Sequence, residues 1–294
     1  MLFPILSPLK TLLHLRHNHN LPSWVVFTDL VKAFNTSYQK LLIAILARYG
    51  APPRFCSAIR RMYENCVVRL IIGKIDTSIP FKVGVKQGDS MAPVLFLFLI
   101  MAFAETLEKE WKNNRLTKAT FSRQSNSPPS TGHIFSHKPK SFNSRNIFEL
   151  FCMLYVDDGA FVFEIRRDLE KGLLLIFTHF AKFGLKMHIG RGPKPSKTEC
   201  VFFSPPGFFK PLSHSSPAVD IDSSQVTIPA KKDNEKKYIQ REDKAYDKSN
   251  ETNIITFSDV FVTFTKNFRY LGIFVSYNIR DDYDVDRRLA SESS

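Results

Sequence analysis

Acidic side chains are scarce in this chain: 28 aspartates and glutamates face 41 lysines and arginines, a formal charge of +13 over 294 residues. That imbalance favours a polyanionic partner, because lysine and arginine that neutralise phosphates release condensed counterions. Acidic lipids would satisfy the same charge, but no membrane partner is expected, since long apolar runs are also lacking. Residues 92–104, the longest, fall short of the roughly 20 a bilayer span requires, and read as a buried core helix. Cysteine is sparse as well. Cys56, Cys66, Cys152 and Cys200 show neither paired spacing nor disulfide-scaffold density, which argues against a zinc knuckle and fits a reducing, intracellular compartment. No internal repeat is evident. At the N-terminus no basic region precedes the apolar run, and Pro4, Pro8 and Lys10 break up any signal-peptide core. The segment reads as the tail of something upstream, with transit-peptide character as the alternative.

What is present is a core. A hydrophobic content of 44% suffices for one or two domains. The run WVVFTD, residues 24–29, predicts a buried strand ending in an acid; residues 38–48 have helical spacing and stop at Gly50 and Pro52, and residues 53–63 restart as a basic amphipathic helix. Residues 67–72 and 79–85 read as strands around a polar turn at 73–77. Asp89 or Ser90 then caps a long apolar helix running to about Trp111, with Pro93 tolerated in its first turn. The stretch 149–165 predicts a hairpin, 168–183 a helix, 199–203 a strand and 260–276 two strand-like runs. Residues 113–146 and 204–253 have the composition of solvated insertions. The expected fold is α+β, an antiparallel sheet with helices on one face and the other face open to a ligand.

Asp157 and Asp158 sit at the tip of the predicted hairpin, and two adjacent carboxylates between strands make a cation site of the kind phosphoryl transfer requires. The step Asp158-Gly159 is equally a signal for a tight type I′ turn with no chemistry attached. Asp29, at the end of its own apolar strand, would supply a third acid, or else cap the following helix. GVKQGDS, residues 84–90, places an amide and a flexible glycine just before a helix start, where backbone can approach a planar or phosphorylated ligand; a simple loop reads the same way.

Taken in order, these segments resemble the reverse transcriptases of LINE-like, non-LTR retroelements. FTDLVKAFN (27–35) looks like the first palm motif, VGVKQGDSMAPVLF (83–96) the second and LYVDDGAF (154–161) the YxDD box. FGLKMH (183–188) with SKTECVFF (196–203) resembles the fourth motif, and NFRYLGIFVS (267–276) the primer grip. The resemblance implies a polymerase palm that extends a DNA primer on an RNA template from deoxynucleoside triphosphates. Asp29, Asp157 and Asp158 would bind two Mg²⁺ ions, or Mn²⁺ in their place. It implies that Leu30, Phe34, Gln87 and Gly88 line the nucleotide site, Phe34 excluding a ribose 2′-hydroxyl. Tyr155 would lie along primer and template, Lys197 would protonate the departing pyrophosphate, and Phe268, Tyr270, Leu271 and Gly272 would position the primer terminus.

The chain departs from the family pattern in places. Asn35 stands where many relatives carry aspartate, and GRGPKP (190–195) after His188 interrupts the fourth motif, which bears on Lys197. The expected organisation is a residual segment at 1–23, a palm at 24–277 carrying the two polar insertions, and the start of a thumb or a tail at 278–294. Fingers and thumb are expected to be largely absent, as in a truncated copy. The competing readings are a nucleic-acid-binding remnant without catalysis, and a metal-dependent nuclease or cyclase, against which the QG loop and Phe34 speak.

Overall fold

Bulky β-formers fill Ser23–Thr28, and this strand, β1, lies at the heart of the main sheet. The computed structural model describes residues 3–64, 66–86, 88–123, 146–191, 193–206, 255–257 and 260–292. Ahead of β1 runs helix α1 (Phe3–Asn18), and after it come the single turn α2 (Ala33–Thr36), α3 (Gln39–Arg48) and α4 (Pro53–Tyr63). The hairpin β2 (Val67–Ile72) and β3 (Ile75–Pro80) leads to the long helix α5 (Ala92–Asn113). Then follow β4 (Ala119–Arg123), β5 (Asn146–Leu150), β6 (Cys152–Tyr155), β7 (Asp158–Phe163), α6 (Arg166–Lys182), β8 (Gly190–Arg191) and β9 (Glu199–Phe203). The last described elements are β10 (Ile255–Phe257), β11 (Val260–Phe264), the hairpin β12 (Asn267–Tyr270) and β13 (Ile273–Ser276), and helix α7 (Asp282–Glu292).

The fold is mixed α+β with antiparallel-rich sheets, and the main sheet runs in the order β10-β11-β9-β1-β7-β6, with β8 paired to β11. Two details correct the expectation of a purely antiparallel sheet with one open face. First, β11 lies parallel to β9, in the register Thr263↔Glu199. Second, both faces are covered. Alternation sends Val26, Phe161, Phe163 and Cys200 to one side, where they join α3, α5 and α6. It sends Val25, Phe27, Ala160, Val162 and Val201 to the other, where they meet Leu9, Leu12 and Leu13 of α1 and the β12–β13 hairpin. The segment expected to be the tail of something upstream is a helix, α1. Pro4 falls in the first turn, where proline is tolerated, and Pro8 is carried inside the helix.

Other boundaries shift for local reasons. The second hairpin strand was expected at 79–85, but β3 begins at Ile75, because Gly73 has φ +60° and lets a two-residue turn pair Ile72 with Ile75. The edges of the first polar stretch are ordered too. Ala119–Arg123 pairs with Asn146–Leu150, and the Glu164 carboxylate accepts the Thr120 N–H at 2.7 Å. No helix among the described residues is long and apolar enough to cross a membrane. All four cysteines are unbridged.

Candidate active site

β1 lies between β7 and β9, and its register fixes what stands at its end. Thr28 pairs with Gly159, so Asp29 leaves the strand at the level of Asp158. The two strands meet tightly here: a Cβ on Gly159 would come within 2.5 Å of Thr28 Oγ1. Asp158 and Gly159 are not turn residues, contrary to the Asp-Gly turn considered above. Tyr155 pairs with Asp158, so the two-residue turn is Val156-Asp157. Val156 takes φ +57°, a conformation costly for a β-branched side chain. Local strain therefore presents Asp157, which is exposed, while Asp158 is half-buried at the head of β7.

Asp158 senses the other two carboxylates. Burial above all, then the charges of Asp157 and Asp29, hold the Asp158 carboxyl above the ordinary aspartate range. As placed, however, no three His, Cys, Asp or Glu side chains among the described residues are close enough to hold an ion. The donor set still fits a divalent cation: all-oxygen and acidic, with a mutual repulsion that such a cation would relieve.

The fourth-motif segment closes the other side of Asp29. Its backbone N–H donates to Thr198 Oγ1 at 3.2 Å, and its carbonyl accepts the His188 N–H at 2.8 Å. Val31 N–H donates to the Lys186 carbonyl, and Leu30 bridges Met187. The Lys197 N–H donates to the His188 carbonyl at 3.2 Å, so the inserted residues leave the exposed Lys197 on the loop that braces Asp29. Sequence reasoning passed over Thr198, which is fully buried, and named His188 only as a break in the fourth motif; its Nδ1 is buried and unpartnered. Only their places in the fourth motif could have flagged them.

The remaining sequence-nominated residues divide by location. Phe34, in α2, is partly buried and stacks on Phe96 of α5 with ring centroids 4.6 Å apart. Its carbonyl accepts the Val85 N–H at 2.7 Å, which ties this turn to the glycine loop. Gly84 makes that contact possible: at φ +87°, an added Cβ would lie 2.8 Å from backbone atoms of Phe34 and Asn35. Asp89 turns the loop into the long helix by accepting the Met91 N–H at 3.0 Å. Gly88 is exposed on this loop, while Gln87 lies outside the described residues. Leu30 is buried, so its side chain belongs to the core rather than to a ligand surface. Tyr155 is exposed at the end of β6.

In the last hairpin Tyr270 and Leu271 are buried and Phe268 stacks on Phe27 at 4.6 Å, which leaves Gly272 exposed at the turn. Tyr270 OH donates to the Met153 carbonyl at 3.4 Å, and burial, with a lesser push from Asp158, holds its hydroxyl well above the ordinary tyrosine range, so it stays protonated. The hairpin thus supports the acid-bearing strands from beneath. Leu271 and Gly272 both have positive φ, as a type I′ turn requires.

Comparison with known proteins identifies the family. A protein described as the retrovirus-related Pol polyprotein from type-1 retrotransposable element R2, of Bradysia coprophila, is 36% identical over 73 residues, 24% of this chain and 8% of the relative. The alignment thus spans a small part of that much longer protein. A family model for reverse transcriptase (RNA-dependent DNA polymerase) matches residues 3–274, nearly the whole length and α1 included. That match shows that this chain belongs to the reverse transcriptase (RNA-dependent DNA polymerase) family.

Proposed function

We propose that this chain is the palm of a retrotransposon reverse transcriptase of the LINE-like, non-LTR lineage, and that it joins deoxynucleotides to a DNA primer on an RNA template. The observation that carries the reading is the register of β1 and β7, which sets Asp29 level with Asp158 beside the exposed Asp157. Asp29, Asp157 and Asp158 would hold two Mg²⁺ ions, or Mn²⁺, which when bound lower the charge on the attacking hydroxyl, the α-phosphate and the leaving pyrophosphate. The chain's own residues do the rest. Phe34, fixed between Phe96 and the glycine loop, forms the wall against which a sugar would rest, and its bulk disfavours a 2′-hydroxyl. Gly88, with Gln87 beside it, lets backbone approach the base pair being formed. Lys197, on the loop bracing Asp29, is the general acid for pyrophosphate. Tyr155 meets primer and template, and the β12–β13 turn at Gly272 aligns the primer end.

The test is primer extension on an RNA template with purified protein and Mg²⁺ or Mn²⁺. Asp157→Asn should lower extension by at least about a hundred-fold, the upper range for losing merely an outer-shell partner of a metal. Phe34→Ala should admit ribonucleotides. Salt-dependent RNA binding with no extension under either metal, and no response to Asp29→Asn, would replace this reading with a binding module that has no catalysis.

A further inference from the structure

A large cavity among the described residues lies away from the carboxylates. A trough of about 1010 Å³ lies between α3, α4 and the base of the β2–β3 hairpin, and a second cavity of about 560 Å³ continues it along α3 and α4. Lys40 and Arg60 line both, and Lys82 stands over the larger one. None of these three exposed cations has an ion pair among the described residues. Against them Glu64 is the lone lining acid, and α4 itself carries three arginines and no acid. The floor is different in kind: Tyr63, Phe81 and aliphatic side chains make it apolar. One end of the trough is joined to the glycine loop. Gln39, on the wall, donates its side-chain N–H to the Gly84 carbonyl at 3.0 Å, and Lys86 of the loop places its ammonium 5.8 Å from the Tyr63 ring centre.

We infer that this trough binds an unpaired stretch of the nucleic-acid template and leads it to the loop at Gly84–Gly88. An apolar, aromatic floor suits base faces, and unpaired cations along the rim suit phosphates, the combination that holds single strands without reading their sequence. A duplex, with its bases turned inward, has no use for that floor. The inference deepens the polymerase reading by giving its template a path, and rests on it for the identity of the strand.

The experiment is anisotropy titration of labelled oligouridine RNA with the full chain, in the absence of metal and nucleotide, across a salt series. The triple variant K40A/R60A/K82A should bind at least about ten-fold more weakly at low salt. Its log–log salt slope should shrink by about two, at roughly 0.7 per phosphate contact on a single strand. A control of equal charge, K109A/R167A/K171A, removes exposed cations elsewhere and should bind as the parent does. If the alanine triple fails to fold by circular dichroism, K40Q/R60Q/K82Q, which keeps longer side chains, takes its place with the same expectation. Equal weakening in the control, unchanged binding in the trough variant, or tighter binding of blunt duplex than of oligouridine would overturn the inference. So would displacement of the RNA by poly-glutamate at matched charge, which would assign the trough to an acidic protein segment. The titration contains neither metal nor nucleotide, so failure of primer extension and failure of the trough are read separately.

Discussion

Gly84 bears more of the site's geometry than any acid does, because it is where the glycine loop touches the Phe34 turn. An alanine there meets backbone rather than a movable side chain, at 2.8 Å, and in a left-handed conformation. Gly84→Ala should destabilise the protein by about 1–3 kcal/mol from backbone strain alone, seen as a lower urea midpoint, and should release the Val85–Phe34 hydrogen bond. Asp158 makes the opposite point, since burial first, and then the neighbouring acids, disfavour its charge. Its folded carboxyl titrates above its unfolded value, so the native state binds the extra proton and stability falls as pH rises from the ordinary carboxylate range through the raised one. Asp158→Asn should therefore raise the melting midpoint at neutral pH and flatten its pH dependence in that window. The gain should be a few degrees at most, because the group is half-exposed and screened. Added Mg²⁺ should raise the midpoint of the parent more than that of Asp158→Asn. An equal rise in both would place the ion elsewhere.

Among elements, the buried Arg16 joins four pieces of chain. Its guanidinium donates to Ser23 Oγ at 2.8 Å, the Pro22 carbonyl at 2.9 Å, the Thr120 carbonyl at 2.9 Å and the Glu164 carboxylate, linking α1, β1, β4 and the end of β7. Arg16→Ala should cost about 3–5 kcal/mol, because it leaves Glu164 without its cation, whereas Arg16→Met with Glu164→Gln should cost less than the two single changes summed. A double-mutant cycle by denaturant titration measures this, and strict additivity would deny the coupling. The sequence did not disclose this junction, since its partners are up to 148 residues apart and two are backbone carbonyls. What the sequence did disclose was local in origin. Apolar periodicity placed α3, α4, α5 and α6 within a few residues, and the strand-end acids were recognisable because β1 and β7 are continuous apolar runs. Tyr270 and Leu271 show the converse: the resemblance nominated them to position a primer terminus, and only packing reveals that their side chains are buried beneath the sheet.

For the molecule as a whole, the second face of the main sheet decides how much of the chain is indispensable. Val25, Phe27, Val162 and Val201 point away from α3, α5 and α6, and α1 is one of the covers they have among the described residues. Leu9, Leu12 and Leu13 are at most 1% exposed, and full burial of a leucine contributes about 1.5–3 kcal/mol, so together they supply roughly 6 kcal/mol. That is comparable with the entire net stability of an ordinary domain, about 5–15 kcal/mol. Lys10 adds an exposed ion pair to Asp281 at 2.7 Å, which contributes little by comparison. A chain beginning at Leu21 should therefore lose its cooperative thermal transition or keep only a small part of its stability, and its exposed apolar sheet face should bind a hydrophobic dye. Leu12→Ala alone should cost about 2–5 kcal/mol with the transition still cooperative. A shortened chain that melted at the parent's temperature would show that the sheet needs only the β12–β13 hairpin on that side, and that α1 merely rests on a core already complete.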